Sequence, residues 1–105
     1  MEVQRIRDYE LMLVLTPEAS EDEAAAIVER VVSLITERDG SVSDPQRLGV
    51  RRLAYPIQRF QEGNYVLIRF ELDSRNILEI DQSLIASQDV LRHLLTKVDE
   101  KVKRS

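Results

Sequence analysis

Five arginines, Arg47, Arg51, Arg52, Arg59 and Arg69, fall between positions 47 and 69, and the only carboxylate in that span is Glu62. Planar guanidinium groups match phosphate oxygens with paired hydrogen bonds, so such an excess is suited to a nucleic-acid backbone. Arg5 and Arg7 near the start of the chain add two more. The candidate RNA contacts are Arg5, Arg7, Arg51, Arg52 and Arg59. Each could instead pair with one of the chain's many carboxylates.

Other chemistry finds little to work with. His93 is the only histidine and there is no cysteine, which removes disulfides, thiol catalysis and cysteine-bound zinc. One histidine is a poor start for a transition-metal site. Gly40, Gly49 and Gly63 stand alone, so no glycine-rich phosphate loop is present. Adjacent acids such as Asp22-Glu23 and Asp99-Glu100 read as solvated surface. No catalytic residue, metal or cofactor is expected.

The arginine pair sits in Arg51-Arg52-Leu53-Ala54-Tyr55-Pro56-Ile57. Successive strand side chains alternate, so the two arginines leave opposite sides of the backbone. Leu53, Tyr55 and Ile57 then share one face. Pro56 cannot donate to a ladder, which confines this strand to a sheet edge or a bulge. An edge carrying arginine and proline resists random pairing yet stays open to a chosen partner.

The remaining elements follow from periodicity. Asp8 to Leu15 is a strand with apolar residues on both faces, as a central strand requires. Ser20 and Glu23 form a capping box, and Ala24, Ile27, Val28, Val31, Val32 and Ile35 follow at helical spacing. Gly40 is predicted to end this helix in a left-handed conformation. Ser41 to Ile57 reads as one long irregular strand, with a phase break near Arg51-Arg52 that implies a bulge helped by Gly49. Gln58 to Asn64 is predicted to be a hairpin loop, with Glu62-Gly63-Asn64 as its turn. A strand from Tyr65 to Leu72, a helix from Arg75 to Ala86 capped by Asp73 or Ser74, and a last strand from Val90 to Val98 complete the chain.

This order predicts an α+β, ferredoxin-like β-α-β-β-α-β domain: a four-stranded antiparallel sheet with both helices on one face. The second and fourth strands are its edges, which accommodates Pro56. Val66, Ile68, Phe70 and Leu72 would face the helices. Tyr65, Leu67 and Arg69 would stand in a row on the uncovered face, the natural partner-binding surface. RNA-recognition motifs share this topology, but Gly63 to Phe70 offers one aromatic to the open face, too few for ordinary base stacking. The turn Thr16-Pro17-Glu18-Ala19 lacks the arginine of an acylphosphatase-like anion site.

At 105 residues, 43% hydrophobic and 32% charged, the chain reads as one globular domain. We divide it into an N-terminal arm (1–7), a single domain (8–98) and a short basic tail (99–105). No apolar run approaches the length of a membrane span, and Met1-Glu2-Val3-Gln4 does not open a signal peptide, so the expected location is the cytoplasm. The net charge of −4 is unevenly spread: Glu18 to Asp39 holds seven acids and two arginines. An acidic helix beside a basic strand gives a two-sided surface.

The stretch Gly49-Val50-Arg51-Arg52-Leu53-Ala54-Tyr55-Pro56-Ile57 resembles the signature of the bacterial small-subunit ribosomal protein six family. Arg7-Asp8-Tyr9-Glu10, Leu15-Thr16-Pro17, Glu62-Gly63-Asn64-Tyr65-Val66-Leu67 and Asp89-Val90-Leu91-Arg92-His93-Leu94 are similar to that family as well. The likeness covers about residues 7–98. It implies a non-catalytic structural protein of the ribosomal small subunit. It also implies joint binding to the central domain of small-subunit ribosomal RNA with a small basic partner, ribosomal protein eighteen, in a heterodimer. Many relatives carry tryptophan-glycine-lysine where this chain has Leu48-Gly49-Val50. Some relatives have acidic tails extended with glutamate; the basic Lys101-Val102-Lys103-Arg104-Ser105 implies no such extension. The competing reading is a ferredoxin-like regulatory or ligand-binding module that self-associates through its sheet, which a deep apolar pocket with convergent polar groups would favour.

Overall fold

The computed structural model describes residues 5–98. Two helices lie on one face of an antiparallel sheet, as the ferredoxin-like pattern requires. The elements are β1 (Ile6–Leu15), α1 (Glu21–Thr36), β2 (Ser41–Val42), β3 (Gln46–Ile57), β4 (Phe60–Asp73), α2 (Ile77–Ala86) and β5 (Val90–Lys97). β4 and β1 are central and β5 is one edge, while β2 and β3 follow each other along the outer side of β4. The strand count is five rather than four because the second strand is broken at Ser43-Asp44-Pro45, where Pro45 has no N–H for a ladder.

Both helices bury their apolar stripes against the same sheet face. Ala24, Ile27, Val28, Val31 and Ile35 of α1 join Ile80 and Leu84 of α2. Opposite them stand Tyr9, Leu11, Leu13 and Leu15 of β1 and Val66, Ile68, Phe70 and Leu72 of β4, all buried in one cluster. Register explains the set, since Tyr9 faces Phe70, Leu11 faces Ile68 and Leu13 faces Val66 across the ladder. Tyr9 stacks on Phe70 with centroids 5.5 Å apart, and burial pushes its phenol above the ordinary range. His93 faces Leu13 from β5, and its Nε2 lies 2.7 Å from Asp81 Oδ1 on α2. The lone histidine therefore has a carboxylate partner, brought to it by the crossover rather than by sequence proximity.

The capping box is formed: Glu23 N–H donates to Ser20 Oγ at 3.1 Å, and Ser20 N–H donates to Glu23 Oε1 at 2.8 Å. The helix end differs from expectation. Asp39, at φ +64°, takes the left-handed position, not Gly40. Gly40 is needed for space, because a Cβ there would lie 2.9 Å from the carbonyl oxygens of Glu71 and Ile35. Arg38 closes the helix by donating to Leu34 O and to Glu79 Oε1 of α2.

Three boundaries are corrected. β1 begins at Ile6, so Ile6 and Arg7 belong to the sheet and not to an arm. The β3–β4 hairpin turns at Gln58-Arg59, with Gln58 at φ +57° and Ile57 paired with Phe60. Glu62-Gly63-Asn64 is therefore strand, and Gly63 marks a close approach: a Cβ there would overlap Val14 Cγ1. β5 stops at Lys97. The remainder of the arm, Met1 to Gln4, and the tail Asp99 to Ser105 lie outside the described residues.

Candidate nucleic-acid and partner interface

β3 carries the arginine pair on an edge, and its irregularity decides how the pair is shown. Gly49, at φ +90°, allows a bulge, and the register shifts between Arg47 and Gly49. Arg51 then faces Gly63 and Arg52 faces Glu62. Past Arg52 the register jumps to Ile57, which leaves Leu53, Ala54, Tyr55 and Pro56 without ladder partners on β4. This is the expected phase break, and Pro56 falls inside it on an edge strand.

The unladdered stretch folds over the face that carries no helix. Leu53, Ala54, Tyr55 and Ile57 meet Met12, Val14, Tyr65, Arg92 and Leu94 around a hollow of about 170 Å³. That volume seats a side chain rather than a cofactor-sized ligand. A larger groove of about 480 Å³ runs between the helices past Ile27, Val31 and Leu84; its charged residues Arg30 and Asp89 lie 3.7 Å from each other. The sheet face is thus half covered, and Val14 is only 4% exposed.

Among the expected partner residues, Tyr65 and Leu67 are partly buried and stand opposite Val14 and Met12. Arg69, next in the row, donates to Glu10 Oε2 at 2.9 Å from the neighbouring strand. The row exists as predicted, but its cation is neutralised. Leu94 extends the apolar patch: it faces Met12 from β5 and is 61% exposed. The alternation of Val90 to Lys97, apolar on both faces, carried that signal without marking which face lay open. Asp8 and Glu71 face each other farther along the same side.

The five arginines assigned to RNA do not form one site. Arg51 and Arg52 are exposed, and their side chains make no hydrogen bond or ion pair among the described residues. Arg59 differs: its Nη2 lies 3.1 Å from Glu18 Oε1, and its guanidinium sits 4.6 Å from the Phe60 ring centroid. Arg5 and Arg7 lie at the opposite end of β1, where Arg7 pairs in register with Leu72. At about 3.3 Å per strand residue, that end is roughly 25–30 Å from the arginine pair. Arg92, which sequence reasoning passed over, stands on β5 at the same end as Arg51 and donates to the Tyr55 hydroxyl at 3.0 Å. Arg47, the first arginine of the basic span, is bound to Glu21 through both terminal nitrogens.

Known proteins share this fold. The family model for ribosomal protein S6 matches residues 8–97. Small ribosomal subunit protein bS6 of Dehalococcoides mccartyi is 38% identical over 98 residues, covering 93% of this chain and 90% of that protein. Its counterpart in Caldanaerobacter subterraneus subsp. tengcongensis is 38% identical over 95 residues, covering 90% of this chain and 100% of its own length. The crystal structure of 30S ribosomal protein S6 from Thermotoga maritima superposes with a TM-score of 0.86 at 32% identity, covering 93% of this chain and 92% of that one. The chain belongs to the ribosomal protein S6 family, structural and non-enzymatic proteins of the small ribosomal subunit.

Proposed function

We propose that the chain binds the central domain of small-subunit ribosomal RNA jointly with a small basic protein, ribosomal protein eighteen, within the cytoplasmic ribosome. The observation that carries this reading is the contrast among the arginines. Arg47, Arg59 and Arg69 are held by carboxylates of the same chain, whereas Arg51 and Arg52, adjacent on an edge strand, have none among the described residues. Two uncommitted guanidinium groups present a phosphate backbone with donors that need not first break an internal ion pair. Arg5 and Arg7 reach the RNA at a second point.

The partner docks on the open sheet face. Tyr65 and Leu67, with Met12 and Leu94, give it an apolar centre, and Arg69 is locked to Glu10 beside them. Asp8 and Glu71 complete an acidic border that suits a basic protein. The net charge of −4 fits the same division of labour. An acidic chain gains little from counterion release over its whole surface, so the partner supplies most of the positive charge.

The test is binding of the purified chain to a central-domain RNA fragment, with and without the partner, across a salt series. Tight, salt-sensitive binding is expected only with the partner present. Replacing Arg51 and Arg52 together by glutamine lowers the slope of log K against log salt by about 1 to 2 units, as two lost phosphate contacts require. An unchanged slope in that variant overturns the assignment of the pair. No binding with either arrangement overturns the joint-binding reading.

A further inference from the structure

The arginine pair does not stand on the body of the sheet. The last ladder pair of β1 joins Leu15 to Asn64, whereas Arg51 and Arg52 face Gly63 and Glu62 beyond it. From there to the turn at Gln58-Arg59 the chain is a two-stranded ribbon with no β1 ladder partner, and such ribbons are marginally stable by themselves. Half of this one lacks even a ladder, because Leu53 to Pro56 have no partners on β4.

Beside the apolar packing of Leu53, Tyr55 and Ile57 on the open face, two polar side-chain contacts tie the ribbon back to the body, one on each side. Arg59 at the turn reaches Glu18 in the β1–α1 connection at 3.1 Å. Tyr55 extends over the open face to the far edge of the sheet, where Arg92 of β5 donates to its hydroxyl at 3.0 Å and lies 5.8 Å from its ring centroid. Between them, Gly63 lets Leu53 and Val14 close on the ribbon's root. Neither contact engages Arg51 or Arg52. Both fix the frame on which the pair is carried.

We propose that Glu18–Arg59 and Tyr55–Arg92 are a pair of clasps that aim the Arg51-Arg52 ribbon at the RNA backbone, making Glu18, Tyr55, Arg59 and Arg92 positioning residues rather than phosphate ligands. The inference rests on the reading of Arg51 and Arg52 as phosphate contacts, and it reassigns Arg59. It also makes an unusual demand: removing a negative charge from the protein must weaken binding to a polyanion. If Arg59 were a phosphate ligand restrained by Glu18, freeing it would do the opposite.

The experiment uses the full chain with the basic partner and the central-domain RNA fragment, comparing Tyr55→Phe and Glu18→Gln with the parent. Neither substitution removes a cation, and both side chains are exposed, so the variants keep the parent's melting temperature. Each is expected to weaken joint binding about two- to fivefold, the scale of one exposed hydrogen bond or ion pair. The salt slope should not change. In the free protein, backbone order parameters of Leu53, Ala54, Tyr55 and Ile57 should fall from strand values toward those of a loop in Tyr55→Phe. Tighter binding and a steeper slope in Glu18→Gln overturn the proposal, as do unchanged affinities or unchanged order parameters. If the clasp variants bind normally while the Arg51→Gln/Arg52→Gln variant is impaired, the clasps fail and the RNA interface stands. If the double variant also binds normally, both readings fail together.

Discussion

Arg51, Arg52, Arg59 and Arg69 look equivalent as letters and are not equivalent in the folded chain. Arg69 meets Glu10 because β1 and β4 are paired in register, and Arg59 meets Glu18 because the hairpin turn lies beside the β1–α1 connection. Those carboxylates are 59 and 41 positions away in sequence, a separation that local pattern cannot bridge. Asp73 and Arg75 show the opposite case, a pair close enough to be foreseen. Hydrogen bonds from the Arg75 side chain, then from its backbone N–H, hold the Asp73 carboxyl at about 2, well under the ordinary carboxylate range. Because the folded-state value is depressed, the contact stabilises the protein fully above the unfolded carboxylate value of about 3.9. That contribution is lost as pH falls from there through about 2. An NMR titration of the Asp73 carboxyl should give a midpoint near 2, and Arg75→Gln should return it toward the ordinary range. A midpoint that stays low in the variant would mean that another group holds the proton off.

The elements divide by how local their causes are. The capping box of α1 and its apolar stripe are complete within one segment, and the helix starts where they say. The β3–β4 hairpin is different, because Glu62-Gly63-Asn64 has the composition of a turn yet lies within β4. A glycine serves a turn by its backbone freedom and a strand by its missing side chain, and the letter does not distinguish them. The true turn, Gln58-Arg59, carries no turn residue of its own; Gln58 accepts φ +57° because Ile57 and Phe60 pair on either side. Gly63→Ala therefore tests a packing claim. The added methyl would overlap Val14, so a loss of about 1–3 kcal/mol is expected in denaturant unfolding, the usual range for overpacking. Val14→Ala in the same chain should recover part of that loss, since neighbouring substitutions couple. Two losses that simply add would place the glycine's role in its backbone instead.

Across the whole molecule, positive charge is offered at two ends of β1 with acids between them. Arg5 and Arg7 stand by the start of the strand, Arg51 and Arg52 beyond its finish, and Asp8, Glu10 and Glu71 lie along the face that joins them. Register separated the two sets: β1 and β3 both run antiparallel to β4, but Arg7 pairs with Leu72 near one end of that strand and Arg51 with Gly63 toward the other. A single patch of arginines would bind phosphates on one turn of a duplex. On the proposed reading, two patches roughly 25–30 Å apart would grip an RNA at separate points and fix its orientation against the protein. This arrangement predicts additivity. Arg5→Gln/Arg7→Gln and Arg51→Gln/Arg52→Gln should each lower the salt slope of joint binding. The fourfold variant should lose the sum of the two free energies within about 0.5 kcal/mol, because sites this distant share no partners. A fourfold loss well short of the sum would show that one RNA segment serves both ends. An Arg5→Gln/Arg7→Gln variant with the parent's slope would confine RNA contact to the β3 ribbon.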